Sequence, residues 1–243
     1  MTIPGITQAA TYYHQDGIDF NQLKVSHINT QSSAELINWS TTLVLLPLNS
    51  TTHKTAVVDS KRGIYKVKES TNSLINNHLN RGMQGCRQII NQIDRQAKIK
   101  EYRPVSHGTA IFFPLKSMSN NDNAIWIACH HMEAPTQPNP KTSVFYFKNC
   151  DIKVILPVTW YFINSRINDC NNHYFEVEKA WQEMDNYIHN PVEPDPHPPC
   201  YILKKIVQGL LMDYGGEFFA HQYDFEITTK ELDKNINQFM REN

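Results

Sequence analysis

Cys129, His130, His131, Cys170 and His173 are the side chains whose types and spacing could hold a metal, and Cys170-Asn171-Asn172-His173 has the separation of two zinc ligands. A structural zinc site needs four such donors in a tetrahedron, and no Cys-x-x-Cys pair supplies the other half. If the segment around Cys129 is a strand, Cys129 and His131 share one face and His130 takes the other, so the three do not converge. They read as a buried thiol and a histidine pair at a polar edge, and no metal or other cofactor is expected. Nucleophilic and phosphate chemistry also lack a frame. The chain has no Gly-x-Ser-x-Gly, no Gly-x-x-x-x-Gly-Lys-Ser/Thr and no His-Glu-x-x-His, the arrangements that present a serine, cradle a phosphate or pair a zinc with its base. Catalysis is not expected.

What the chain concentrates instead is cationic charge. Overall it carries 23 Lys and Arg against 24 Asp and Glu, but the signs are sorted. Residues 53–116 have a net charge of +8, and residues 171–243 a net charge of −7. A basic block followed by an acidic one points to a polyanion partner, nucleic acid above all. The alternative is two blocks that pair with each other, in an interaction protein without catalytic activity. RNA is the other rival, because Phe112, Phe113, Trp126 and Tyr146 lie in strand-like segments where aromatic side chains can stack bases. Against it, the basic-aromatic RNP pattern is missing, and alternating aromatics in strands usually form core.

Other classes are excluded by composition. No run of about 18 apolar residues occurs, so no membrane span is expected. The first 23 residues contain no Lys or Arg and no apolar stretch, so they do not read as a signal peptide. Five cysteines without paired spacing fit reduced thiols in a cytoplasm.

The elements that must position the cations follow from apolar period. Residues 1–34, rich in Gln, Asn, Thr and Ser, read as a loosely ordered N-terminal segment or a peripheral strand, with structure starting near Ala34. Strands are expected at Leu43–Leu48, Lys54–Val58, Ile64–Val67, Thr109–Phe113, Ala124–His130, Ser143–Phe147 and Asp151–Val158, with a hairpin turn at Lys148-Asn149-Cys150. Between them, Ile75, Leu79, Met83, Cys86, Ile90, Ile93 and Ala97 recur at steps of three and four, which predicts one long basic amphipathic helix over 72–97. Gly82 and Gly85 weaken it by about 1 kcal/mol each relative to Ala. Arg81, Arg87, Arg95 and Lys98 lie off the apolar stripe and face outward. A helix is also expected over 164–188.

The fold expected is α+β, a small antiparallel sheet or partial barrel packed with that helix. The core spans residues 35–190, a proline-rich linker 191–200, with five prolines between Pro191 and Pro199, and an acidic helical region 201–243. In that last region Ile202, Ile206 and Leu210, and Leu232, Ile236 and Phe239, form apolar faces that either close a dimer or dock on the protein's own core. Its acids either fold back on the cations or keep the protein soluble.

Several short motifs occur together in order: Gly82-Met83-Gln84-Gly85-Cys86-Arg87, Arg103-Pro104-Val105, Phe112-Phe113-Pro114-Leu115-Lys116-Ser117, Trp126-Ile127 with His130, Phe147-Lys148-Asn149-Cys150 and Leu156-Pro157-Val158-Thr159. Over about Ile37 to Cys170 this series resembles the ComK competence transcription factors. The sequence departs from the family pattern at Arg103, where a proline is usual, at Cys150, where the hairpin glycine is usual, and at Asn164-Ser165 in place of Asn-Gln. The resemblance implies a transcriptional activator that binds double-stranded AT-rich DNA, largely through the minor groove, as a homo-oligomer. It also implies an adaptor and a Clp-type protease as partners. A DNA-binding surface is therefore expected at Arg81, Arg87, Arg95, Lys98, Lys100, Arg103 and Lys116, with Asn164 and Arg166 added by family position. Lys66, Lys68 and Lys116, on or beside strands, have solubility as their alternative role.

Overall fold

The computed structural model describes residues 3–80, 87–107, 109–115 and 123–189. The chain divides into two compact units, Met1–Gly85 with Glu101–Asn171, and Cys86–Lys100 with Asn172–Asn243. The first unit holds all the described strands, and the class is α+β as expected. It contains two sheets rather than one small sheet, and neither closes into a barrel.

The six-stranded sheet is built from β2 (Thr42–Pro47), β3 (Thr55–Asp59), β4 (Gly63–Val67), β5 (Val105–His107), β6 (Ala110–Leu115) and β7 (Ile125–Ala128), in the order β4-β3-β2-β7-β6-β5 with every pairing antiparallel. The second sheet joins β1 (Ile18–Asp19), β8 (Thr136–Asn139), β9 (Thr142–Phe147) and β10 (Cys150–Leu156) in the order β1-β10-β9-β8, with β1 parallel to β10. The expected hairpin is present. β9 and β10 are joined through Lys148 and Asn149, and Asn149 takes the left-handed conformation at φ 56°, which Asn tolerates better than most residues.

β2 to β4, β6 and β7 are rich in Val, Ile, Leu and Phe because both faces of the six-stranded sheet are covered. Ile64, Val58, Val44, Ile127 and Phe113 are cross-strand partners in one row. All are 0% exposed, in a core shared with Ile18, Phe145, Phe147, Val154 and Leu156 of the second sheet. Each such buried side chain is worth roughly 1.5–3 kcal/mol of transfer free energy. On the opposite face α1 (Thr71–Asn80) lies against β2. Trp126 Nε1 donates to Asn72 Oδ1 at 3.0 Å, and Trp39 stacks on His78 and meets Phe112 edge-on.

The expected long helix is described as two stretches, α1 and α2 (Arg87–Gln96), which belong to different units. Gly82 and Gly85 fall between them, outside the described residues. At the described ends of the apolar stripe, Ile75, Leu79 and Ile93 are buried as the period requires. The helix expected over 164–188 is α3, Trp160–His189. It begins one turn early because Thr159 caps it, its Oγ1 accepting from the Phe162 N–H at 3.3 Å.

The N-terminal segment departs most from expectation. Instead of being loose, residues 3–33 form 3-10 turns at Gln8–His14 and Val25–His27 and bury Ile3, Ile6, Ala10, Ile18 and Ile28. They cover the free edge of β4: Ile64 N donates to Pro4 O, Lys66 N to Thr30 O, and Ser32 N to Lys66 O, at 2.9 to 3.0 Å. An unpaired edge invites pairing with another chain, so this cover has a protective role. The approach needs glycine on both sides. A Cβ on Gly5 would lie 1.8 Å from Ile64 O, one on Gly63 2.2 Å from Pro4 O, and both residues have positive φ. The proline-rich and acidic helical regions expected over 191–243 lie outside the described residues.

Candidate nucleic-acid interface

The second unit presents its cations at the end of α2. Ile93 and Ile99 are buried, while Arg95, Lys98 and Lys100 are exposed. The helix stops in a Schellman turn: Ile99 N donates to Asp94 O at 2.8 Å and Lys98 N to Arg95 O at 3.1 Å. Lys98 occupies the left-handed position at φ 60°, where glycine is usual. Cations here also complement the negative end of the helix dipole. Behind them His173 Nδ1 and Asp94 Oδ1 are 2.6 Å apart, both side chains fully buried. This pair joins α3 to α2.

In the first unit, Asn164 is exposed on α3 and Arg103 is half-buried. Arg166 is committed inside the protein. Its Nη1 donates to Glu101 O at 3.0 Å, its Nη2 lies 3.0 Å from Asp169 Oδ2, and its guanidinium sits 5.1 and 5.2 Å from the ring centroids of Tyr102 and Phe162. Arg81 and Lys116 lie outside the described residues, as does the side chain of Arg87. The expected residues are thus divided: Arg95, Lys98 and Lys100 in one unit, Arg103, Asn164 and Arg166 in the other.

Two further members of the basic block are structural. Lys66 Nζ donates to Ile28 O at 2.8 Å and Val25 O at 3.4 Å. Arg62 lies over Tyr65 at 4.1 Å and donates to Leu36 O and Ser32 Oγ. The aromatic platform considered for RNA is absent where it was expected, since Phe112, Phe113 and Trp126 are buried and Tyr146 carries Lys153 over its ring at 5.5 Å.

Sequence reasoning missed Trp160, 41% exposed, and Tyr161, 85% exposed, at the start of α3. Tyr161 and Asn164 stand three residues apart, on one helix face. The signal was the Thr159 cap after Pro157, which moves the helix start back over both aromatics.

Cys129 to His131 form a 3-10 turn, not a strand. The rings of His130 and His131 are 4.1 Å apart, and His131 Nε2 donates to Ser40 O at 2.7 Å. Burial pushes the His130 pKa down. His173 belongs to the other unit, and among the described residues no group of three or more His, Cys, Asp and Glu is placed to hold a metal. Among them, too, no helix is long and apolar enough to cross a membrane.

A family model described as ComK protein matches residues 33–182, more than half of the chain. The chain belongs to the ComK family of competence transcription factors. The match takes in β2 to β10, α1, α2 and most of α3, with the exposed end of α2 and the start of α3. It leaves out the N-terminal cover and the acidic C-terminal region. No curated protein and no solved structure matches the chain.

Proposed function

We propose that this ComK-family protein is a DNA-binding transcriptional activator of genes for DNA uptake, acting on AT-rich promoter DNA largely through the minor groove. The observation that carries the reading is the exposed cationic end of α2, with Arg95, Lys98 and Lys100 inside the family match. Lysines provide sequence-independent phosphate neutralisation, and a narrow AT-rich groove attracts inserted Arg. Arg81, Arg87, Arg103, Lys116 and Asn164 are proposed as further DNA contacts. Trp160 and Tyr161 add exposed aromatic area beside Asn164, of the kind minor-groove proteins use as wedges. Arg166 is assigned a supporting role through Glu101 and Tyr102 instead of direct contact.

The reading takes the protein as a cytoplasmic homo-oligomer whose level is set by an adaptor and a Clp-type protease, and proposes no catalytic activity. Gel-shift titration on AT-rich and GC-rich duplexes of equal length tests it, with a minor-groove-binding polyamide as competitor. Tighter binding to the AT-rich duplex, lost on adding the polyamide, is expected. Equal affinity for both duplexes, or indifference to the competitor, rejects the groove assignment.

A further inference from the structure

The solvent face at the start of α3 uses only three residue types. Between Trp160 and Asn171 the exposed residues are Trp160, Tyr161, Asn164, Asn168 and Asn171. At about 100° per residue, the steps of three and four from Tyr161 to Asn171 keep the last four side chains within a sector of about 80°. Ile163 and Cys170, 0% and 1% exposed, lie on the opposite side in the core. The charged side chains of this stretch, Arg166 and Asp169, pair with each other at 3.0 Å, off the stripe. The stripe itself therefore carries no charge.

Asparagine is a poor choice for the outside of a helix. It ranks well below Ala, Glu and Lys in helix interiors, because its short amide competes for backbone groups. Nothing in the protein offsets that cost here. Among the described residues, none of the three amides has a hydrogen-bond partner. A local rule broken three times on one face, with no structural gain, points to something outside the chain.

We infer that Asn164, Asn168 and Asn171 form a hydrogen-bonding face for the phosphate oxygens of a DNA duplex, an inference that rests on the DNA-binding reading above. Each amide offers two N–H donors, and no carboxylate on the face repels a phosphate. A protein interface would need an apolar centre, and beyond Tyr161 the face presents amides. Width decides between phosphate and base. An α-helix with its side chains is about 10–12 Å across, and the minor groove is about 6 Å wide. Short amides spread over two turns of α3 cannot follow that groove, so the helix lies along the backbone at its rim. Neutral contacts of this kind fix register and orientation, while inserted cations read the groove. Asn168 and Asn171 thereby join Asn164 as contacts.

The test is gel-shift titration of the full-length protein and of Asn168→Ala/Asn171→Ala, on AT-rich and GC-rich duplexes over a range of salt. Alanine is the better helix former, so the variant should melt no lower than the parent, and light scattering should give the same oligomeric mass. Binding should weaken roughly tenfold for each lost contact, the scale of a hydrogen bond to a charged group. The factor should be the same on both duplexes and at every salt concentration, because a neutral amide releases no counterion. Parent-like affinity in the variant, where the parent itself binds duplex, would sink this inference and leave the DNA-binding reading standing. A parent that binds neither duplex would end both. Loss confined to the AT-rich duplex would move the amides to base edges, and a changed oligomeric mass would make the face a contact between copies. Either outcome overturns the phosphate assignment, as does a changed salt slope.

Discussion

Arg166 Nη1 donates to the main-chain oxygen of Glu101 at 3.0 Å, across 65 residues of sequence. The bond ties α3 to the segment leading into β5, where Tyr102 is held at φ 51°, a conformation that costs a non-glycine residue roughly 1–2 kcal/mol. The Arg166 side chain is 13% exposed and Asp169 22%, so this is a largely enclosed clamp rather than a surface pair. Burial raises the Asp169 pKa, and Arg166 pulls it part of the way back. Arg166→Ala is expected to lower stability by about 1.5–3 kcal/mol, the range for losing a hydrogen bond to a charged group. Urea denaturation measures it, and an unchanged midpoint would show that the clamp carries no load.

Gly63→Ala tests the N-terminal cover of β4. The new Cβ would stand 2.2 Å from Pro4 O at a residue with φ +78°, so backbone must move on one side or the other. Conformational strain and overpacking together should cost roughly 2–4 kcal/mol. Limited proteolysis should then release the first thirty or so residues before the sheets are cut. Simultaneous digestion of both would mean that the segment is not a separate layer.

His14 and His27 predict a pH dependence. Asp19 N donates to His14 Nδ1 at 3.3 Å, which leaves Nε2 to carry the proton shared with His27 Nδ1 at 3.0 Å. Charging either ring puts a second proton where one is already donated. Burial first, then the neighbouring charge of His27 on His14 and of Lys24 on His27, lowers both pKa values from 6.5. With the folded-state values below the unfolded ones, the stabilisation is complete above pH 6.5 and is lost as pH falls through the folded values. Denaturation midpoints should be flat from pH 7.5 to 7 and fall below 6.5, and His14→Gln/His27→Gln should reduce that slope. His130 retains a share, since burial lowers its pKa too. A slope the same in the double variant would assign the effect elsewhere.

Apolar runs made β2, β3, β4, β6, β7, β9 and β10 legible, because strands buried on both or alternate faces must be written in Val, Ile, Leu and Phe. β8 is Thr-Gln-Pro-Asn with every residue exposed, and β1 is two residues long, so neither leaves such a trace. The N-terminal cover was illegible for another reason: its contacts with β4 run through backbone groups, glycines and the Lys66 ammonium, which hydrophobic pattern does not encode. The apolar stripe placed Arg95 and Lys98 outward, and both are exposed. It could not tell them from Arg62, Lys66 and Arg166, whose cations are used by carbonyls and rings far away in sequence. That distinction depends on tertiary partners alone.

Lys98 and Lys100 offer the sharpest test of the proposed DNA surface, because removing them should leave the fold intact. Lys98 is strained where glycine is preferred, so Lys98→Gly should be neutral or stabilising by up to about 1 kcal/mol. Lys100 is exposed, and Lys100→Ala should change stability by no more than about 0.5 kcal/mol. If both cations neutralise phosphates, the double variant should bind AT-rich duplex more weakly at low salt, and its slope of log affinity against log salt should fall by roughly 1.8, about 0.9 for each lost contact. A folded double variant with the parent slope would remove the end of α2 from the interface. A slope reduced by about half as much would leave one of the two lysines on the phosphates.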